Sequence, residues 1–448
     1  MLIGLLACVE GDPQPSPPDD PTCTDEGATE LSAEVTAIGT VIRVRWRTDA
    51  DVESHVAFET PTGTAFTSAE TGEVHEALLV GNHPRSDVSW RIVSSAGNSC
   101  DRTTQTEVGV AGLSRATLTG DAEAGPGWVV APIIMEERTG LGILDNTGTY
   151  IWAWAPEGDE KAASVFGAEL ALDGGSILFN TGAQSDTLPG PIYRIALDGT
   201  FLDPILVNGA HTDFVQLPDG EIGVLAWDVR AVGNRRFLGD TIVEVAADGT
   251  THTVWSVWDN FTPDTAQTWT QGWYPGDPSV EDWSHVNGIT YDPATDRYLV
   301  TASFNSSVLM IDRATGELDQ MLVDGGGDWQ STEPLLSYPH SVDVVPDGVL
   351  VFNRGDLYAT DSCSEATELD LSSDMATPTW EWAGESCLFV PFLGSAKRLS
   401  DGSTFVDWTT AGQVDRVTAD GALAWRLNLD LGGGFGFAQV VEAPYGAR

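Results

Sequence analysis

Positive charge is scarce in this sequence. Against 67 Asp and Glu residues there are 21 Lys and Arg residues, which gives a formal net charge of −46, and lysine occurs only as Lys161 and Lys397. A surface this negative repels phosphates and anionic lipid headgroups, which argues against nucleic acids and charged membranes as partners. We interpret the excess of carboxylates as a solubility adaptation to salty surroundings and not as a binding site.

Long apolar runs and long helical patterns are also missing. A membrane-spanning helix needs about 18 or more apolar residues in a row, and no stretch after the N-terminus of this 448-residue chain has them. Glycine, proline and tryptophan are instead plentiful, with 48, 24 and 16 copies. Short apolar runs between turn residues are typical of an all-β protein, and the length allows two or three domains.

The five cysteines include no Cys-x-x-Cys or Cys/His spacing that would hold zinc. The segment LLAC at 5–8 is similar to a lipobox, which predicts that Cys8 is lipidated, although the part before it is shorter than a usual signal. We therefore expect a start further upstream or a trimmed chain. Residues 1–27 are interpreted as this signal remnant followed by a Pro- and Asp-rich disordered tether. The expected location is the periplasm, the outer membrane or the cell surface, with only a lipid anchor in the membrane.

The remaining four cysteines predict two disulfides, because an even number in an exported protein is typical of a disulfide framework. The pairing Cys23–Cys100 and Cys363–Cys387 keeps each bridge within one domain.

Residues 28–117 predict a small β-sandwich. Runs such as 41–46 and 88–93 alternate between apolar and polar residues, as half-buried strands do, and turn residues separate them. The pattern is similar to a fibronectin-type-III-like domain with Trp46 in its core. Three histidines lie here and are assigned no chemistry: His55, His75 and His83.

Residues 118–448 contain a repeated phrase, in which a strand, an acidic or polar turn with glycine and a second strand often lead to a tryptophan. The six copies begin at Ile143, Ile192, Val243, Met310, Leu369 and Val417. A second hairpin with a turn such as PDG at 218–220 or 346–348 precedes most copies. Two hairpins per repeat make a four-stranded sheet, so the sequence predicts a six-bladed β-propeller, closed by a strand around 438–443. A solenoid would need shorter repeats and polar caps.

Three of these repeats carry a histidine just before their first hairpin. His211 lies eight residues before Asp219 of its turn, and His285 and His340 each lie seven residues before an aspartate. The first strands of propeller blades line a central channel, so residues at their starts gather at one mouth of it. We therefore predict that the three imidazoles converge there and form a functional cluster.

The surrounding residues resemble one family. DWSHVN at 282–287 is similar to the D-W-x-H-x-N segment of the bacterial aryl-sulfate sulfotransferases, and IDRATG at 311–316 to a turn that follows it. HTDF at 211–214 and YPHS at 338–341 resemble two further histidine segments of that family. The resemblance covers most of 118–448 and implies a six-bladed propeller fronted by a β-sandwich.

The resemblance also implies an activity, namely transfer of a sulfuryl group from an aryl sulfate to a phenol through a sulfohistidine. His340 matches the nucleophile, whereas His211, His285 and Asn287 match residues that hold the sulfuryl oxygens and assist the phenolic oxygens. Neutral imidazole is a good nucleophile near neutral pH, and preorganised N–H donors stabilise developing negative charge. Neither a nucleotide-sulfate donor nor another cofactor or metal is implied.

One residue departs from the family pattern. Phe304, in TASFNS at 301–306, stands where the resemblance predicts an arginine. Loss of a guanidinium that holds an anion in the transition state costs roughly 3 kcal/mol. Arg354 follows the second strand of a neighbouring repeat and is our candidate to supply the missing charge; the alternative is a solvated surface arginine.

The long stretch 260–282 ends just before His285 and holds several aromatic residues. We predict that Trp273 and Tyr274 overhang the mouth and stack on a phenolic substrate, with packing inside the loop as the alternative.

Two function classes remain open after this reading. The first is an exported sulfotransferase that acts on small aryl sulfates and phenols. The second, favoured by Phe304, is a catalytically inactive propeller lipoprotein that binds a ligand or partner at the cell surface. A quinone-dependent propeller dehydrogenase would need a calcium and cofactor signature, which we do not find.

Overall fold

The computed structural model describes residues 25, 28–110, 112–122, 127–136, 138–156, 165–263, 274–357, 359, 361–430 and 432–441. The lipidation site Cys8, the half-cystine Cys23 and the aromatic Trp273 lie outside these residues. Within them the chain is built from β-strands, with one four-residue α-helix, which confirms the predicted all-β class. None of the described helical residues form a segment long and apolar enough to cross a bilayer.

The first six strands form one twisted sheet at the front of the chain. They are β1 (Thr29–Val35), β2 (Ile42–Thr60), β3 (Gly63–Phe66), β4 (Glu70–Leu79), β5 (Asp87–Ser94) and β6 (Arg102–Gln105). The long β2 pairs with β1 and β4 through its first part and with β3 and β5 through its last part. This arrangement encloses an apolar core that contains Trp46, as predicted, together with Phe58 and Trp90.

In the described part of the chain six further sheets follow, here called sheets I to VI, and they are antiparallel except for one short parallel pair in sheet III. Before them comes β7 (Ala116–Gly120), which spans the predicted domain boundary at residue 117. Sheet I contains β8 (Trp128–Ile134), β9 (Thr139–Leu144) and β10 (Tyr150–Trp154). Sheet II contains β11 (Ala168–Leu170), β12 (Ser176–Asn180), β13 (Pro189–Ala196) and β14 (Phe201–Asn208). Sheet III contains β15 (Ala210–Gln216), β16 (Ile222–Val232), β17 (Arg235–Val245), β18 (Thr251–Ser256) and, after helix α1 (Val257–Asn260), β19 (Glu281–Asp282).

The remaining strands complete the set. Sheet IV contains β20 (Val286–Asp292), β21 (Arg297–Ala302), β22 (Ser307–Asp312), β23 (Leu318–Val323) and β24 (Gly326–Gly327). Sheet V contains β25 (Pro339–Val345), β26 (Gly348–Asn353), β27 (Glu365–Asp370) and β28 (Thr377–Trp382). Sheet VI contains β29 (Ser395–Arg398), β30 (Thr404–Asp407), β31 (Gln413–Val417) and β32 (Leu423–Leu429), with a short 3₁₀ helix at Thr409–Ala411.

The two ends of this region are interlocked. The last strands, β33 (Gly434–Phe435) and β34 (Gln439–Val441), pair with β8 of sheet I, whereas β7 pairs with β32 of sheet VI. The pairing of β34 is the one that the sequence predicts for a strand around 438–443. Both chain ends thus complete a sheet from the opposite end of the region, which fastens sheets I and VI together.

The front sheet is docked on sheets I and II through a shared apolar cluster. Ile38 and Val80 pack in one cluster with Trp152 and its neighbours. Arg43 pairs with Asp198, Nε2 of His83 lies 2.7 Å from Oδ2 of Asp145, and Thr40 donates to the Ile151 carbonyl. His83 thus takes part in the contact between the front sheet and sheet I, and His75 stacks on Trp46 with ring centroids 5.0 Å apart. Both histidines have structural contacts.

One of the two predicted disulfides is confirmed. Cys363 and Cys387 are bonded and join the segment after β26 to the segment before β29. Cys100 is also a disulfide cysteine, but its predicted partner Cys23 is not among the described residues.

A buried carboxyl group, Asp407, fastens the closing segment. It accepts hydrogen bonds from the backbone N–H groups of Thr409 (2.8 Å) and Ala438 (3.0 Å). Burial raises the pKa of Asp407 to about 8, whereas an aspartate in an unfolded chain ionises near about pH 4. Between these values the folded state binds more protons than the unfolded state, so this group makes stability fall as the pH rises.

We predict that Asp407→Asn makes the free energy of unfolding depend less on pH between about pH 4 and 8, because the asparagine does not titrate. The slope should change by the equivalent of up to about one bound proton. Urea unfolding at a series of pH values measures this slope. The matched control is Asp203→Asn on β14, where the side chain is exposed and the same unit of charge is removed. Equal slopes for Asp407→Asn and the parent protein would contradict the assignment.

Candidate functional site

Irregular starts of three neighbouring strands, each the first strand of its sheet, build most of the site. In the β25–β26 pair, Pro339 faces Asn353 and Ser341 faces Phe352, so His340 is the extra residue of a β-bulge. The register also shifts at the starts of β20 and β15, and strands β15, β20 and β25 contact each other in that order. A β-bulge re-aims a side chain that would otherwise follow the regular alternation of the strand.

The backbone is left-handed at the same three places. Thr212, His285 and Tyr338 have φ values of 39°, 47° and 48°. For residues other than glycine, such a conformation costs about 1–3 kcal/mol and persists where the surroundings enforce it, which is often at functional sites.

The bulges correct the predicted common register of the histidines. In the β20–β21 pair the bulged residue is Asn287, because Val286 faces Ala302 and Gly288 faces Thr301. Asn287, and not His285, is therefore the structural equivalent of His340. The physical reason is the position of the two aspartates: Asp292 is still paired with Arg297 at the end of β20, whereas Asp347 lies in the turn, two residues beyond Val345, the last paired residue of β25. Counting back from the turn aspartate therefore misaligned the two strands by two residues.

The side chains named from the sequence nevertheless meet in one space. A cavity of about 800 Å³ is lined by the three histidines together with the predicted amide and guanidinium. These five residues are His211, His285, Asn287, His340 and Arg354. Tyr274 lies behind this lining: its ring packs edge-on against Trp227, and its hydroxyl donates to Asp186 at 2.6 Å.

His340 is buried and is held as a neutral imidazole. Burial lowers its pKa well below the ordinary value, and the positive charge of Arg354 and the ring of His285 act in the same direction. Its ring lies 5.0 Å from that of Phe437. Its Nδ1 atom has no hydrogen-bond partner within the described part of the chain. A neutral imidazole with a nitrogen that makes no hydrogen bond within the protein can act as a nucleophile.

His285 is oriented by a buried carboxyl group. Its Nδ1 lies 2.6 Å from Oδ2 of Asp282, three residues earlier. Burial raises the pKa of Asp282, while His285 opposes that rise. On its other side, His285 stacks on Phe304 with ring centroids 4.6 Å apart. The carboxyl contact fixes the orientation of the ring, and an oriented imidazole can pass a proton to or from a ligand.

His211 has a second buried carboxylate beside it. Its Nε2 lies 3.1 Å from Oδ1 of Asp240, although the alignment is not that of a hydrogen bond. The other oxygen of Asp240 accepts from the Ser284 hydroxyl (2.6 Å) and the Val286 N–H (2.9 Å). Trp227 stacks on the His211 ring at 5.1 Å. Asp240 thus links β15, which carries His211, to the residues on either side of His285.

Sequence reasoning did not assign a role to either carboxyl group. Asp282 stood in the quoted DWSHVN segment, where its place three residues before His285 was an available signal. Asp240 interrupts the apolar run 237–243 of β17, and a buried charge in such a run needs a partner. That pattern was the signal for it.

Asn287 offers its amide N–H₂ group to the cavity. Its oxygen accepts from the Thr301 hydroxyl at 2.8 Å, so the flexible amide is fixed in one orientation. Its Nδ2 lacks a hydrogen-bond partner among the described residues. Because a buried amide without a partner costs about 1–3 kcal/mol, this donor is best explained by a ligand that accepts from it.

Arg354 is a buried cation held by neutral groups. It donates to the carbonyls of Tyr338 (3.1 Å) and Pro391 (3.0 Å) and to the hydroxyl of Ser303, which directly precedes Phe304. Within the described ranges, no carboxylate lies at ion-pair distance from it. Burial lowers the pKa of Arg354 to about 10. The predicted alternative of a solvated surface arginine is therefore wrong, because the residue is buried in the wall of the cavity.

The cavity therefore combines three chemical features. It has a neutral nucleophilic imidazole, a cation and an amide that lack an anionic partner, and two histidines with buried carboxylates. No cluster of potential metal ligands is found among the described His, Cys, Asp and Glu residues. Such a set is suited to bind an oxyanion and to transfer a group to and from His340.

Comparisons with solved structures give only distant similarities. A protein of unknown function from Bacteroides caccae is 16% identical over 71% of this chain and 100% of that one, with a TM-score of 0.45. Virginiamycin B lyase from Staphylococcus aureus, in a catalytically inactive form with quinupristin, is 13% identical (69% and 87% covered, TM-score 0.39). The periplasmic gluconolactonase of Pseudomonas aeruginosa is 11% identical (71% and 99% covered, TM-score 0.40). These values imply nothing about the activity of this chain.

The comparison with curated proteins gave no match. The family model described as "Arylsulfotransferase (ASST)" matches residues 130–417. The match spans more than half of the chain and includes all five residues that the sequence predicted for the cavity. The chain belongs to the arylsulfotransferase (ASST) family.

Proposed function

We propose that this protein moves a sulfuryl group from an aryl sulfate to a phenolic acceptor, and that His340 carries the group between the two half-reactions. The observation that carries this proposal is the pairing of a neutral His340 with a buried, uncompensated Arg354 in one cavity. A nucleophile without charge can approach an anionic ester, while the guanidinium offsets the charge of the sulfuryl oxygens.

In the first half-reaction, a nitrogen of His340 attacks sulfur and the bond between sulfur and the aryl oxygen breaks. The departing phenolate takes a proton from His285, which the contact with Asp282 holds in place. In the second half-reaction, His285 accepts the proton of the incoming phenol. The phenolic oxygen then bonds to sulfur and the N–S bond breaks.

The sulfuryl oxygens need donors throughout these steps. We assign this role to Asn287 Nδ2, the Arg354 guanidinium and His211, since all three line the same cavity. The unsatisfied Asn287 amide supports its assignment. Arg354 donates to Ser303, so its charge lies next to the position where the family pattern has an arginine and this chain has Phe304. We infer that Arg354 replaces that arginine from a neighbouring strand.

The fold that we propose is a six-bladed β-propeller formed by sheets I to VI, preceded by a fibronectin-type-III-like sandwich. The interlocked chain ends and the contacts between successive inner strands support a closed ring. We also propose export as a lipoprotein, with Cys8 as the lipidated residue. The disulfide between Cys363 and Cys387 supports an oxidising compartment.

A second candidate function is a binding protein without catalysis. The observation in its favour is the stack of Phe304 on His285, because an apolar ring occupies one face of the proposed proton carrier. Measurements of sulfuryl transfer by the parent protein and by site variants separate the two candidates.

We predict that the purified protein releases nitrophenol from p-nitrophenyl sulfate only when a phenol acceptor is present, and that His340→Ala abolishes this release. The loss follows because the methyl group of alanine leaves no nucleophile at this position. His252→Ala is the matched control, since this histidine is exposed on β18. If several donors give no release with the parent protein, the binding-protein candidate stands instead.

The lowered pKa of His340 predicts a specific pH profile. Because the imidazole must be neutral to attack, kcat/KM for the donor should stay constant as the pH falls to about 6.5 and decrease only below it. Arg354→Lys should leave the pH of this decrease in kcat/KM unchanged. Arg354→Met should move the decrease to higher pH, because the positive charge adds to burial in lowering the pKa of His340. A limb of the parent protein above about pH 7 would contradict a neutral, buried nucleophile.

Removal of the guanidinium should be costly for turnover. We predict that Arg354→Met lowers kcat by about 10²–10³, the usual cost of one donor to a developing oxyanion. Arg230→Met removes the same charge from an exposed pair with Asp228 and is the control. Adding Phe304→Arg to Arg354→Met should restore part of the rate, and circular dichroism checks that each variant is folded. Full activity of Arg354→Met would show that another group holds the sulfuryl oxygens.

A further inference from the structure

The segment between Cys387 and the start of β29 has no regular secondary structure but is tied down at several points. The disulfide to Cys363 holds its start. Ser364 donates its N–H to the Leu388 carbonyl (2.7 Å) and accepts the Val390 N–H on its hydroxyl (2.8 Å). The same hydroxyl donates to the Arg354 carbonyl at 2.7 Å. The segment is therefore fixed to the residue that supplies the cavity with its positive charge.

The end of the segment is fixed as well. Pro391 accepts from Nη1 of Arg354, and the Phe392 carbonyl accepts from the Thr409 hydroxyl at 2.9 Å. Leu393 has a φ of 61°, which is strained for a leucine. Several contacts thus hold this stretch in an unfavourable conformation directly at the cavity, as expected where the position of a side chain matters for binding.

Two phenylalanines of this segment are exposed, Phe389 to 40% and Phe392 to 46%. Only Phe392 belongs to the described residues that line the cavity. An exposed aromatic ring beside a cavity is a surface on which a flat apolar ligand can stack. The pair therefore differs in location but not in side-chain chemistry or exposure.

The rest of the cavity suits a ligand larger than one phenol ring. Phe166, Trp227 and Leu238 give the wall apolar and aromatic surface. The volume of about 800 Å³ lies within the range of pockets that enclose drug-sized ligands, about 300–1,000 Å³. Among its charged lining residues, three carboxyl groups (Glu136, Asp240 and Asp282) face two guanidinium groups (Arg138 and Arg354), and the chain carries a net charge of −46. A second negative charge on the ligand would therefore be repelled.

We propose that Phe392 determines specificity by stacking on the distal rings of flat, neutral, polycyclic phenols and their sulfate esters, while the ester end lies at His340. This inference rests on the proposed function, because that function places the ester end of the ligand at His340 and its distal rings towards Phe392. The disulfide and Arg354 position Phe392, so one rigid unit supplies both the anion-binding charge and the aromatic platform.

The test compares acceptors with p-nitrophenyl sulfate as donor. We expect kcat/KM for 2-naphthol to exceed that for phenol, and Phe392→Ala to lower this preference about tenfold, the order of one aromatic contact with its burial. Phe392→Trp should retain the preference, and Phe389→Ala should leave it unchanged. The carboxylated acceptor 6-hydroxy-2-naphthoate should be poorer than 2-naphthol at low salt, and added salt should narrow the gap.

Binding of 2-naphthyl sulfate, followed by tryptophan fluorescence, gives a readout that does not need turnover. Phe392→Ala should weaken this binding about tenfold, and Phe389→Ala should not. An unchanged preference and an unchanged affinity in Phe392→Ala would overturn the role of this residue even if transfer occurs. Absence of transfer together with weaker ligand binding in Phe392→Ala would instead reject the sulfotransferase and keep the aromatic platform.

Discussion

A buried positive charge without a carboxylate beside it, in the part of the chain that the structure describes, is the constraint on which the site depends. Arg354 is held by two carbonyls and one hydroxyl. An uncompensated buried ion costs several kcal/mol, and the chain as a whole carries a net charge of −46. The same charge depresses the pKa of His340 and makes a bound anion favourable. The neutral state of the nucleophile and the affinity of the site for an anion therefore both depend on the charge of Arg354.

The rest of the structure keeps this arrangement rigid. The three histidines and Asn287 lie at or just before the irregular starts of strands, where the backbone is left-handed at three positions. Such strain persists only in a firm framework. The framework comes from the interlocked chain ends, the Asp407 contact to the closing segment and the Cys363–Cys387 disulfide. The front sheet adds a large apolar contact to sheets I and II.

The all-β fold could be predicted from the sequence, because alternating apolar residues and repeated turns indicate strands. The DWSHVN segment likewise indicated His285 and Asn287 as site residues. The exact register of the first strands could not be predicted, since the aspartates used as markers are not equivalent: Asp292 is paired within its sheet and Asp347 lies in a turn. The position of Asp240 within an apolar run signals a partner, but the partner itself lies on other strands and could not be identified from the sequence. Phe392 was missed because its segment follows no periodicity, and its place at the cavity results from tertiary contacts alone.

The central claim is that His340 carries the sulfuryl group. The most direct measurement is mass spectrometry of the protein quenched after mixing with p-nitrophenyl sulfate in the absence of acceptor, followed by peptide mapping under conditions that preserve acid-labile N–S bonds. The account predicts an adduct of about 80 Da on the peptide that contains His340, which disappears when a phenol is added. An adduct on another residue, or none while nitrophenol is released, would contradict it.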